Sequence, residues 1–174
     1  MKFHILPLFT LLTSVLAADA DPNPILTALN TITTDTVNLN NTVASFNGNP
    51  LTLLQITVQS AKLLADINSG TKAANAAANL TFDQTLAVAS ATLNLATDVN
   101  QTITSIIDAK PKFDKLIVVD PVILLNLKLE RDATKEFSAA VIAKVPEALQ
   151  SVAQTLTQGI DDSFAEGLAA YELF

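Results

Sequence analysis

Residues 24–46 read PILTALNTITTDTVNLNNTVASF, and this stretch decides the fold. Ile25, Leu29, Ile32, Thr36, Leu39, Val43 and Phe46 recur at spacings that alternate between four and three. With about 3.6 residues per turn, side chains so spaced fall on one stripe of an α-helix. Pro24 suits the first helical position, where a missing N–H costs nothing. Asn47-Gly48-Asn49-Pro50 then breaks the helix. Asn49 reads as the N-cap of the next helix and Pro50 as its first residue.

Working outward, the same period continues. A second helix is expected from about Pro50 to Ser69, with Leu51, Leu54, Val58, Ala61 and Ala65 on its inner face. Leu53, Leu64 and Ile67 widen that face, and Gly70 stands where a left-handed C-terminal residue belongs. Residues 71–80 are rich in Ala and Asn and read equally as loop or helix extension. Thr81-Phe82-Asp83-Gln84 has the form of a capping box. The third helix should run from there to about Ala109, stopped by Lys110-Pro111. It offers two apolar faces, Leu86, Leu93, Ala96, Ile103 and Ile107 on one and Val88, Leu95, Val99 and Ile106 on the other. After a connector, Asp120-Pro121 reads as N-cap and first residue of a fourth helix. Val122, Leu125, Leu129, Ala133, Phe137, Ala140 and Val141 form its inner face, and Pro146 ends or kinks it. A last helix reaches Tyr171, with Leu149, Val152, Leu156, Ile160, Phe164 and Leu168 inward. No strand-like alternation appears. The fold class is all-α, an antiparallel bundle of about five helices in a single domain over residues 19–174.

Residues 1–18 read as a secretory signal peptide. Lys2 supplies the positive start, Ile5 to Leu16 the apolar run, and Val15-Leu16-Ala17 the small-x-small cleavage pattern. That run is too short to cross roughly 30 Å of hydrocarbon, so no transmembrane segment is expected. With a leader, three sequons acquire meaning as glycosylation sites: Asn40, Asn79 and Asn100. Asn79 precedes a helix start, whereas Asn100 lies beside both apolar faces of the third helix. The expected location is secreted, extracellular or in the cell wall.

Composition removes whole function classes. The chain has 174 residues, no Cys, and one His, His4, which leaves with the leader. Thiol catalysis, Ser-His-Asp relays and His- or Cys-based metal sites are therefore excluded. Four Gly leave no phosphate loop. Asp161 and Asp162 are adjacent, but neighbouring helical positions do not face each other. A formal net charge of −7 argues against nucleic acid as a partner. The expectation is a protein that is not an enzyme and holds neither metal nor cofactor.

Two stretches carry a resemblance. One is Phe137-Ser138-Ala139-Ala140-Val141-Ile142-Ala143-Lys144-Val145-Pro146. The other is Ile160-Asp161-Asp162-Ser163-Phe164-Ala165-Glu166-Gly167-Leu168-Ala169-Ala170-Tyr171. They resemble the fungal hydrophobic surface-binding protein A family, which includes cell-wall galactomannoprotein antigens. Ser163, Gly167 and Leu168 depart from the usual ending, and Gly167 inside a helix marks either a cost or a close helix approach. The resemblance implies a five-helix bundle, secretion or retention in a fungal wall, and glycosylation. It further implies adsorption to hydrophobic solid surfaces, recruitment of a secreted polymer-degrading esterase, and a fatty acid or other lipid held between helices.

Two mechanisms follow, and a third reading stands beside them. In lipid capture an acyl chain replaces missing core volume, and small inward residues such as Thr36, Ala61, Ala65, Ala89 and Ala96 leave the room. The expected lining is Leu29, Ile32, Thr36, Leu39, Val43, Leu54, Val58, Leu93, Phe137, Val141, Val152, Leu156 and Phe164. Thr36, Gln59 and Ser90 are candidate donors to a polar head. In interfacial adsorption an apolar helix face meets a wax, polyester or air surface, and residues 116–129 are the candidate. The alternative is a structural cell-wall mannoprotein without a small-molecule ligand.

Overall fold

The computed structural model describes residues 23–116 and 119–172; the expected signal peptide lies outside the described residues. Five helices follow in order: α1 Pro24–Ala44, α2 Pro50–Ala76, α3 Phe82–Phe113, α4 Val119–Ile142 and α5 Glu147–Tyr171. The all-α expectation holds. The first three helices start where the caps predict. The Asn23 side chain accepts from the Ile25 and Leu26 amides, and Asn49 accepts from Leu51. Thr81 and Gln84 exchange the two hydrogen bonds of a capping box, at 3.3 and 2.9 Å.

The helices alternate in direction along the chain but close into a ring in another order. α1 packs on α2 and α3, α2 on α4, α4 on α5, and α5 back on α3, while α3 and α4 barely touch. The paired residues fix the directions. Thr36 meets Thr102, and Lys112 meets the Phe46 carbonyl, so α1 and α3 run parallel. Asn100 with Ser163 and Ile106 with Tyr171 make α3 and α5 parallel.

The buried stripe of α1 is the expected one: Ile25, Leu29, Ile32, Thr36, Leu39 and Val43 are all inside, followed by Phe46. α2 corrects the sequence reading. Its buried positions are Ile56, Ser60, Leu63, Ile67, Gly70 and Ala74, whereas Leu51, Leu54 and Val58 are 75%, 60% and 60% exposed. The period is right and the face is wrong, because small residues fill half of the true inner stripe. Gly70 is no helix end; a Cβ there would come within 3.1 Å of the Phe137 ring and 3.3 Å of the Ala28 Cβ. Gly167 is likewise a close approach, against Ile103 at 3.1 Å.

In α3 the second expected face is buried, but Leu86 and Leu93 are exposed. The helix also passes Pro111 and ends at Phe113. Phe113 is fully buried and stacks on Phe46 with ring centroids 4.6 Å apart, which holds that last turn in place. α4 buries Ile123, Leu127 and Glu130 rather than Val122, Leu125 and Leu129, and Pro121 lies inside its first turn. No described helix is long and apolar enough to cross a membrane.

Candidate functional site

Buried threonines shape the interior. The hydroxyls of Thr36, Thr85, Thr92 and Thr102 each donate to a carbonyl one turn back on their own helix, at 2.7–2.8 Å. This satisfies the hydroxyl locally and leaves the methyl to the core. Thr36 is therefore core lining rather than a head-group donor. Ser90 is exposed on α3, and Gln59 is half-buried with its Oε1 enclosed and without a partner among the described residues.

Three cavities meet around Thr157 of α5. The first, about 100 Å³, opens between α3 and α5; Leu86 and Ala89 face Leu149, Val152, Ala153 and Leu156 across it. The second, about 20 Å³, is bordered by Leu29, Leu95, Phe137 and Ile160, and it shares Thr92, Val141 and Thr157 with the first. The third, about 210 Å³, lies between α4 and α5 and includes Phe164. Its rim carries Arg131 and Lys135, but both are held by Asp161. The Arg131 guanidinium grips that carboxylate at 2.6 and 3.0 Å, and Lys135 adds a contact at 3.2 Å. Hydrogen bonding from Arg131 keeps the Asp161 carboxyl below its ordinary range. This cluster ties α4 to α5.

A fourth void, about 20 Å³, lies further along the bundle among α1, α2, α3 and α4. Leu39, Val43, Ile106 and Leu127 surround it, with Ser60, Asn126 and Glu130 as its polar members. Glu130 is 5% exposed and accepts a hydrogen bond of 2.5 Å from the Ser60 hydroxyl. Burial pushes its carboxyl up to about 7, and the Ser60 bond opposes that only in part. Phe137 at the second void and Glu130 at the fourth are one α4 segment, ~10 Å apart at about 1.5 Å per residue.

The structure thus sorts the expected lining. Leu29, Leu39, Val43, Phe137, Val141, Val152, Leu156 and Phe164 border these cavities. Ile32 and Thr36 are buried between them, while Leu54, Val58 and Leu93 point to solvent, and Val152, expected inward on the last helix, sits at a cavity rim 56% exposed. Ala89 lines the mouth as a small residue, whereas Ala61 and Ala65 are on the outside. Sequence reasoning missed Ser60, Glu130 and Thr157. A lone Glu between Leu129 and Arg131 reads as a solvated position; only the spacing Leu127, Glu130, Ala133, Phe137 could have placed it inward.

The family model for hydrophobic surface binding protein A matches residues 22–143. The chain belongs to this family. It is 29% identical to cell wall mannoprotein 1 of Aspergillus fumigatus over 149 residues, covering 86% of this chain and 51% of that protein. The mannoprotein 1 of Aspergillus flavus is 28% identical, over 77% of this chain and 48% of its own length. The chain thus spans about half the length of these mannoproteins. Among solved structures it resembles Afmp4p in complex with palmitic acid, with a TM-score of 0.81 and 27% identity over 84% of this chain and 97% of that one. It also shares its fold with ligand binding domain 2 of the Penicillium marneffei MP1 protein, complexed with multiple arachidonic acids, at a TM-score of 0.83 and 18% identity, over 90% and 99% of the two chains.

Proposed function

We propose that this protein is a secreted or wall-associated, non-enzymatic carrier that threads a lipid chain between its helices. The observation that supports it best is the apolar mouth between α3 and α5, which shares Thr92, Val141 and Thr157 with a small cavity bordered by the buried Leu29, Leu95, Phe137 and Ile160. The palmitic acid bound by Afmp4p, a relative of the same fold, fits the reading. That second cavity, about 20 Å³, is large enough for a water but not for an acyl chain, so side chains must swing aside on entry. Burying about fourteen methylenes at ~0.8 kcal/mol each amounts to ~11 kcal/mol, enough to meet that rearrangement and still bind. Native mass spectrometry of the secreted protein, with solvent extraction, tests this. A stoichiometric lipid is expected, lost in Ala153→Phe, which fills the mouth. A protein that carries nothing, and takes up no added lipid, overturns the reading.

A second reading rests on its own observation. Leu51, Leu54 and Val58 of α2 and Val122, Leu125 and Leu129 of α4 are all 43–75% exposed. Ile56 and Ile123 border the same void, so the two outward stripes lie at one end of adjacent helices. This doubled apolar face is suited to adsorption on a hydrophobic solid, where a secreted esterase would then meet the protein. Replacing Leu54, Val58 and Leu125 together by Lys is expected to abolish capture on hydrophobic beads and leave lipid uptake in place.

A further inference from the structure

We propose that the outer face of α3 and α5 around the cavity mouth docks on the surface of a zwitterionic lipid bilayer, so that a lipid passes between bilayer and cavity without crossing water. This deepens the carrier reading and rests on it. Phe82, Leu86, Ala89 and Leu93 follow one another at spacings of four, three and four, which puts them on one stripe of α3. Phe82, Leu86 and Leu93 are each more than half exposed. α5 runs parallel to α3, and Asn100 meets Ser163 at an offset of 63 residues. The same offset sets Leu86 beside Leu149, Ala89 beside Val152 and Leu93 beside Leu156, and all of these but Leu93 line the mouth. The exposed stripe is thus the rim of the opening and not a separate patch.

Charge selects the partner. No charged residue lies between Asp83 and Asp98 on α3 or between Glu147 and Asp161 on α5. The residues that end these two runs are all acidic, and Asp161 is held by Arg131 and Lys135. The chain as a whole carries a formal net charge of −7. The face therefore offers no cation to the phosphate of an anionic lipid, and binding has to come from apolar side chains entering the interface. A zwitterionic surface accepts such a face, whereas an anionic one repels the chain that carries it. The lipid gains from contact as well. Transfer through water exposes every methylene that the cavity had buried, while a mouth pressed to the bilayer keeps the chain in apolar surroundings throughout. This face is separate from the outward stripes of α2 and α4, since the α3–α5 pair and the α2–α4 pair occupy different sides of the ring.

The test follows transfer of a fluorescent fatty acid from the full-chain protein to phosphatidylcholine vesicles that carry a quencher. The wild-type rate is expected to rise in proportion to vesicle concentration and not to respond to salt. Phe82→Gln with Leu93→Gln, two positions outside the cavity lining, should slow transfer by roughly tenfold or more while native mass spectrometry finds the same amount of lipid bound. Leu54→Gln with Leu125→Gln, on the other exposed face, should transfer as the wild type does. The chain has no Trp, so Leu93→Trp gives a single reporter whose emission should shift to the blue on these vesicles, and Leu54→Trp one whose emission should not. A rate independent of vesicle concentration, a rate unmoved by the Phe82 and Leu93 changes, or an unshifted Leu93→Trp emission overturns the docking face while leaving the carrier reading intact. So does a dimer that the same pair of changes dissociates, which would make a second copy the occupant. A protein that binds no fatty acid overturns both.

Discussion

Glu130 makes the interior sensitive to pH. Its folded carboxyl titrates at about 7 against an ordinary 4.5, because burial penalises the charged form. The folded state therefore holds an extra proton between these values. The stability this contributes is complete below about pH 4.5 and is lost as pH rises toward 7, a loss of order 3 kcal/mol. The melting temperature should fall across that window in the wild type and fall less in Glu130→Leu, where Asp35 and Asp120, also raised by burial, still titrate, as thermal unfolding at a series of pH values would read. Paired carboxylates such as Asp161 and Asp66 are held low and act in a different, more acidic range. The glycines offer a paired comparison. A Cβ on Gly159 meets nothing within 4 Å, so Gly159→Ala should stabilise by up to ~1 kcal/mol through helix propensity. Gly70→Ala gains the same propensity but drives its Cβ against Phe137 and Ala28, and should destabilise by ~1–2 kcal/mol in urea titration. Asn79 is exposed in the loop before α3, whereas Asn40 accepts from Ser105 and the Asn100 amide donates to Ser163. Glycopeptide mapping should find Asn79 the most fully occupied of the three.

Elements were legible in proportion to how their inner stripe is filled. α1 carries large apolar residues on its buried face, so period and face were both readable. α2 hides Ser60, Gly70 and Ala74 and shows Leu51, Leu54 and Val58, so hydrophobicity alone picks the wrong side. In α4 the buried Glu130 produces the same error. Close packing against neighbours decides these faces, and no single-helix pattern contains it. The register is open to a direct check. Ile56→Ala, a change in the core, should cost ~2–4 kcal/mol. Leu54→Gln should stay within about 0.5 kcal/mol, since its side chain leaves no core contact behind. Comparable costs at both positions, measured by chemical denaturation, would mean that the α2 face is misassigned.

At the scale of the molecule, ligand and fold are linked. A lipid bound only by the folded state, at a hundred times its dissociation constant, adds ~2.7 kcal/mol, so solvent extraction should lower the melting temperature by ~5–10 °C. The five-helix class was readable from the sequence. The cavities were not, since three of the four described are walled by three or four helices brought together from distant parts of the chain.

The ring order also bears on how the chain reaches its native state. The cross-helix pairs that fix it, Ser60 with Glu130, Thr102 with Thr36, Asn100 with Ser163 and Tyr171 with Ile106, are 63 to 70 residues apart. A bundle of nested hairpins can zip together from local contacts; this one must close several long loops first, which slows helical folding toward the rates of mixed folds. α3 and α4, consecutive in the chain, barely meet, and α5 fills the gap between them. A chain emerging N-terminus first can cover α3 with α1 but leaves the face of α3 that meets α5 open until Glu147–Tyr171 arrives, so the last helix made is the one that closes the ring.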